Sequence, residues 1–145
     1  MITVERQTDA GVDRMWSLLS HVERWDDMLP TMQQITRLDG EGPVGVGTRF
    51  EVRQPGLPKA VYEITVWEPR VGFTWVASAV GVRTTATHEL RTQDGGSLLV
   101  LGIAWTGPLA GLVRLLMGTK ARHMVETEAD TFAQLVRNGR HDDVA

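Results

Sequence analysis

Residues 98–136 read LLVLGIAWTGPLAGLVRLLMGTKARHMVETEADTFAQLV, and the fold turns on them. Leu98 to Ile103 is apolar at both strand parities, the pattern of a strand covered on both faces. Thr106-Gly107-Pro108 then breaks the extended pattern. From about Ala110 to Val136, Met117, Ala121, Met124, Val125, Phe132, Leu135 and Val136 recur at helical spacing. Lys120, Arg122, Glu126, Asp130 and Arg137 fall away from that stripe, and Asn138-Gly139 is a plausible stop before a frayed tail, Arg140 to Ala145. A helix of this length is ~40 Å long. It cannot bury its stripe alone, and its only large partner is whatever precedes it.

What precedes it is strand. Thr48, Phe50 and Val52 alternate with charged residues, and Pro55-Gly56 and Pro58 mark a turn over Gln54 to Lys59. Tyr62, Ile64 and Val66 share one parity and Trp67 the other, with Pro69 ending the run. Phe73, Trp75 and Ala77 continue on the next strand. Thr84, Ala86, His88 and Leu90 alternate against Arg83, Thr85, Thr87, Glu89 and Arg91, and Asp94-Gly95-Gly96 is a hairpin turn.

Before this run, Ile2 to Thr8 reads as a strand. Asp9 or Asp13 caps a short helix carrying Val12, Met15, Trp16 and Leu19. Ser20 to Pro30 reads as a second short helix, Met32 to Leu38 as a strand, and Asp39 to Gly47 as a glycine-rich turn. Short turns make the sheet antiparallel and the class α+β. A curved sheet closing on one helix leaves a gap, and such gaps take small apolar ligands.

Composition narrows the function classes. At 145 residues the chain is most simply one domain, taken as 1–139. A formal charge of −3 weighs against nucleic acid or an anionic membrane surface as the main partner. There are no cysteines, which excludes disulfides and thiolate chemistry and is compatible with a cytoplasmic protein. No secretory signal is visible, and Pro108 to Gly118 is too short to insert stably in a membrane and contains Arg114.

The local motifs carry little chemistry. Gly40-Glu41-Gly42-Pro43-Val44-Gly45 has the letters of a dinucleotide loop, but a strand follows where a helix is needed and Pro43 lacks an amide donor. The segment reads instead as a flexible turn or a lid at a cavity mouth. His88-Glu89 begins like a zinc-protease motif, yet Thr92 stands where the second histidine belongs. His21, His88, His123 and His141 have no ligand-like spacing, so no metal and no cofactor is expected. Gly95-Gly96-Ser97-Leu98-Leu99 lacks the closing glycine of a nucleophile elbow. His88 sits at the less charged parity, either as a cavity-lining acid or base or as a buried, satisfied histidine. Tyr62 is open in the same way.

Several segments together resemble the START-like (helix-grip, SRPBCC) superfamily, in particular its polyketide cyclase/dehydrase-like branch. They are Asp13-Arg14-Met15-Trp16-Ser17-Leu18-Leu19 with Trp25 and Pro30, Gly45-x-Gly47-Thr48-x-Phe50, and Val66-Trp67-Glu68-Pro69 with Phe73-x-Trp75. His88-Glu89-Leu90, Asp94-Gly95-Gly96-Ser97 and Gly107-Pro108-Leu109 complete the order. The resemblance covers nearly the whole chain. It implies a seven-stranded antiparallel curved sheet gripping the C-terminal helix, two short helices after the first strand, and a hydrophobic cavity. It implies no single activity, since members include aromatase/cyclases, lipid and quinone carriers and hormone receptors.

These lines converge on binding of a small hydrophobic or aromatic molecule (lipid, isoprenoid or polyketide-like). The expected walls are Phe50, Tyr62, Ile64, Phe73, Trp75 and His88 from the first strands. Leu99, Leu101, Ile103 and Trp105 follow from the last strand, and Met117 and Met124 from the helix. The second reading is a polyketide cyclase, aromatase or dehydratase with His88 and Tyr62 as its acid–base candidates, and Arg83 at the outward parity. The third is an interaction module or homodimer using an exposed Trp67 and the apolar stretch Leu109 to Met117.

Overall fold

The computed structural model describes residues 1–38 and 40–137. The expected stop at Asn138-Gly139 and the tail from Arg140 to Ala145 lie outside the described residues. The chain opens with β1 (Ile2–Thr8), α1 (Val12–Leu19), a 3₁₀ turn (Val22–Arg24) and α2 (Trp25–Met28). Six strands follow: β2 (Gln34–Arg37), β3 (Arg49–Arg53), β4 (Ala60–Glu68), β5 (Gly72–Ala79), β6 (Val82–Gln93) and β7 (Gly96–Thr106). The last element is α3 (Ala110–Val144), of which the described residues reach Arg137.

All seven strands form one antiparallel sheet in the order β1-β7-β6-β5-β4-β3-β2. The two short helices carry the chain from β1 at one edge to β2 at the other. From there it walks back strand by strand; after the longer β2–β3 connection the turns are too short for anything but neighbours. The two tightest are Val80-Gly81, with Ala79 paired to Val82, and Asp94-Gly95, with Gln93 paired to Gly96; Gly81 and Gly95 stand at φ 81° and 76°. The walk ends beside β1, and α3 then lies back across β7 and β1, touching α1. This is the α+β helix-grip architecture, with two short helices after the first strand.

Four details depart from the sequence reading. Neither Asp9 nor Asp13 caps α1; extended Gly11 is the N-cap, and Asp13 sits in the first turn, where its charge suits the helix dipole. The second helix is broken into the 3₁₀ turn and the single turn of α2, ending at Leu29, which Pro30 forces into the extended region. β7 is covered on both faces as far as Val100, buried on the outer side between Glu5 and Glu89, but Leu98 falls short of that and is only half-buried.

The fourth matters most. Ile64 pairs with Trp75 but Val66 pairs with Thr74, so Thr65 is an extra residue and β4 carries a bulge. The bulge inverts the parity beyond it: Val66 is 42% exposed, and Trp67 turns inward. The Trp67 ring meets Trp16 edge-on at 5.0 Å and Phe73 at 5.3 Å. Trp67 is therefore a lid on the core rather than the exposed contact the alternation predicted.

The core fills one end of the space between sheet and helices. Trp25, Phe73 and Phe132 meet there, with Met15, Leu19 and Leu99 fully buried around them. Trp25 donates its indole N–H to the Leu19 carbonyl at 3.2 Å, which satisfies its one polar atom. The glycine-rich segment is tied to the sheet: Arg37 donates to the Gly42 carbonyl at 2.6 Å, and the Gly47 amide to the Ile64 carbonyl at 2.8 Å.

Candidate functional site

At the other end, the inner face of β4 to β7 and the middle of α3 do not meet. They enclose a cavity of about 650 Å³, the size range of sites for drug-sized molecules. Residue size explains why it is open. Ala77, Thr84 and Ala86 on the sheet and Ala121 on α3 point small side chains into it. At the filled end the same face carries Phe50 and Phe73.

Of the residues expected at the wall, Tyr62, Trp75, His88, Leu101, Ile103 and Trp105 line it from the sheet, and Met117 and Met124 from α3. Phe50, Ile64, Phe73 and Leu99 do not; they share the inward parity but lie where α1, α2 and the end of α3 close over the sheet. Trp25 and Met32 form the boundary between filled and empty ends. Arg83 is exposed on the outer side, as its parity requires. No residue of the Gly40 to Gly47 segment lines the cavity. Its rim is instead the β3–β4 turn, through Gln54, Leu57, Pro58 and Lys59, with Lys120 beside it. A Cβ added at Gly56 (φ 73°) would lie 2.1 Å from Lys120 Nζ, so the lysine head rests on that turn.

The aromatic wall is continuous. Trp75 meets Tyr62 at 4.8 Å, Trp25 at 5.2 Å and His88 at 5.8 Å. His88 lies nearly parallel on Phe73, at 4.2 Å and 14°. Its Nδ1 is 3.2 Å from the Phe73 carbonyl. A carbonyl only accepts, so Nδ1 carries the proton and Nε2 is left as an acceptor. Burial drives the His88 pKa down to about 4, against the opposing pull of that hydrogen bond. The ring is neutral at ordinary pH. His88 therefore lines the cavity and is at the same time satisfied by a neighbour.

The sequence reading passed over Glu128. It is 9% exposed, lines the cavity, and accepts a 2.9 Å hydrogen bond from the Thr31 hydroxyl. Burial pushes its pKa up to about 7, with the Thr31 bond pulling the other way. Burial, and then the Glu128 charge, push the Tyr62 phenol up to about 12. A signal for Glu128 existed: it stands four residues after Met124 and four before Phe132, inside the apolar stripe. Its partner, Thr31, could not be found that way.

The site thus offers a flat apolar slot, a phenol donor, and two acceptors, one able to exchange a proton near neutrality. Among the described residues, no three His, Asp or Glu side chains gather as a metal site, and no helix is long and apolar enough to cross a membrane.

The sequence profile of a family described as polyketide cyclase / dehydrase and lipid transport matches residues 1–137. No curated protein matches. Solved structures with the same fold include protein MLL2253 from Mesorhizobium loti, 17% identical, with a TM-score of 0.72 over 94% of this chain and 96% of that one. A norcoclaurine synthase mutant from Thalictrum flavum, bound to a transition-state analogue, is 19% identical, with a TM-score of 0.71 over 96% and 94%. Hypothetical protein jhp0584 from Helicobacter pylori is 12% identical, with a TM-score of 0.78 over 92% and 86%. Identities this low carry the fold alone. The profile spans nearly the whole chain, and the chain therefore belongs to the polyketide cyclase/dehydrase and lipid transport family, with the START-like helix-grip fold.

Proposed function

We propose that this protein binds one small hydrophobic or aromatic molecule, a lipid, isoprenoid or polyketide-like compound, inside the cavity between β4–β7 and α3. The observation that carries this is an open space of about 650 Å³ walled by Trp75, Tyr62, Ile103 and Trp105 in a chain whose other end is tightly filled. Desolvation supplies the affinity, at ~25 cal/mol per Å² of apolar surface buried before entropic costs. Residues 1–139 act as a single ligand-binding domain, with no cofactor and no nucleic-acid partner, and the cysteine-free chain fits the cytoplasm. Native mass spectrometry of gently purified protein, with small molecules extracted from the same sample, tests the proposal. A stoichiometric apolar adduct supports it. A clean unliganded mass, together with no thermal shift from a panel of flat hydrophobic compounds, refutes it.

A specific observation favours one alternative, a cyclase, aromatase or dehydratase using the same cavity. Glu128 and His88 hold pKa values of about 7 and about 4 beside an apolar slot, which suits acid–base chemistry. Unchanged turnover of a polyketide-like substrate in both Glu128→Gln and His88→Ala would remove it. A homodimer is the remaining reading. It loses Trp67 but keeps the exposed leucines of α3, with Leu115 81% and Leu116 70% exposed. A concentration-independent monomer mass by sedimentation would exclude it.

A further inference from the structure

The polar atoms of the cavity are unevenly distributed. Deep in it stand the Glu128 carboxylate and the neutral His88, whose Nε2 accepts. The cations, Lys59 and Lys120, stand at the rim, where Lys59 is 3.6 Å from Glu51. A carboxylate has about four lone-pair directions. Among the described residues Thr31 alone is seen to donate to Glu128, at Oε1, which leaves the other oxygen for whatever fills the cavity. A buried acceptor left without a donor costs free energy, and more when it is charged. An occupant is therefore asked for a donor at this point.

Three kinds of ligand end could meet that demand or fail it. Where Glu128 is ionised, a carboxylate end brings like charge to it and a second acceptor to His88, so it is turned away. An ammonium end must be stripped of water, and one carboxylate in an apolar slot scarcely offsets that loss. A hydroxyl is cheap to desolvate and forms a charge-assisted hydrogen bond, roughly twice as strong as a neutral one. Sites built to hydrogen-bond a hydroxyl reject analogues lacking it, because the site's own polar group is then stranded.

We propose that Glu128 is a specificity-determining residue, selecting flat aromatic ligands that carry a hydroxyl at their buried end and turning away ligands that present a carboxylate or an alkyl ether there. This rests on the cavity being the ligand site, and it names the ligand class within it. Tyr62, on the same wall, can donate to a second oxygen of such a ligand. The lysines at the rim suit an acidic or ketonic far end, so a bound molecule would be oriented hydroxyl inward.

The test is titration, followed by tryptophan fluorescence, with four probes of one shape: 2-naphthol, 2-methoxynaphthalene, 2-naphthoic acid and naphthalen-2-ylmethylamine. Wild type, Glu128→Gln and Glu128→Leu are compared at about pH 8, where Glu128 is ionised. Wild type is expected to bind 2-naphthol about 10- to 100-fold tighter than the methyl ether, with the acid and the amine weaker than the naphthol. In Glu128→Leu the naphthol-to-ether ratio falls to about one while the ether binds at least as well. Glu128→Gln, which keeps an acceptor without charge, falls between. A ratio near one in wild type, a ratio that survives in Glu128→Leu, or tighter binding of the acid or amine overturns the inference and leaves cavity binding standing. Failure of every probe to bind overturns cavity binding itself, and the inference with it.

Discussion

Glu128 and His88 make opposite demands on pH, and Glu128→Gln should expose the conflict. A carboxyl whose pKa rises from 4.5 in the unfolded chain to about 7 in the fold holds its proton more tightly when folded. Its contribution favours the fold below about 4.5 and is lost as pH climbs through about 7. His88 runs the other way. Its pKa falls from 6.5 to about 4, so its contribution is present above 6.5 and lost as pH drops towards 4. Each is worth on the order of 3 kcal/mol, both groups being buried. In wild type the two nearly cancel between about pH 4 and 7. Glu128→Gln removes one side and leaves the other. Relative to wild type, the variant should lose on the order of 3 kcal/mol on going from about pH 7.5 to about pH 4.5. Every other carboxylate contributes equally to both proteins, so the difference isolates this one. Urea unfolding at half-unit pH steps reads it directly. Parallel profiles for wild type and Glu128→Gln would refute the placement of Glu128 as a buried, titrating group.

Two further perturbations separate core from cavity. Trp75→Phe should weaken ligand binding while leaving the fold intact, whereas Trp67→Ala should cost up to about 3 kcal/mol of stability with little change in affinity; equal effects on affinity would undo the distinction. Deleting Thr65 removes the bulge and makes the pairing of Ile64, Val66 and Trp67 with Trp75, Thr74 and Phe73 continuous, so Trp67 stays on the inner face and Val66 on the outer. The deletion should therefore cost no more than about 1 kcal/mol, with tryptophan emission unshifted, whereas a loss of roughly 3 kcal/mol or more with red-shifted emission would show that Trp67 reaches its place only through the bulge.

The fold was legible because the strongest signals were local. Pro69, Asp94-Gly95 and Gly107-Pro108 punctuate the strands, and the helical stripe from Met117 to Val136 is long enough to override ambiguity. Parity held on β5, β6 and β7, where the registers run without interruption. It failed on β4 because a bulge is a property of the pair, set by what Trp67 finds to pack on, and Val66 and Trp67 look equally apolar in the sequence. The wall was half legible for a related reason. Alternation tells which face a residue occupies, not how far along the sheet the helices cover it. Phe73 and Trp75 are equivalent by parity, yet one stacks under His88 in the core and the other borders open space. Thr31 and Glu128 are 97 residues apart, and no spacing rule joins them.

What decides between a cavity and a core in this fold is side-chain volume at positions the backbone treats alike. Ala121 and Phe132 both belong to the inner stripe of α3, and Ala86 and Phe73 both face inward on neighbouring strands. The large member of each pair lies at the closed end and the small member at the open end. The space is thus maintained by small residues, and it should be removable without harm to the fold. Ala121→Leu adds apolar volume where no atoms are displaced. In a packed core such an insertion costs about 1–3 kcal/mol in strain. In an open cavity it gains contacts instead, so stability should hold or rise by up to about 1 kcal/mol while ligand affinity falls at least about tenfold. Thermal unfolding and probe titration of the same variant measure both quantities. Destabilisation in the packed-core range would mean that α3 and the sheet already touch at Ala121, and that the ligand site has to be sought elsewhere.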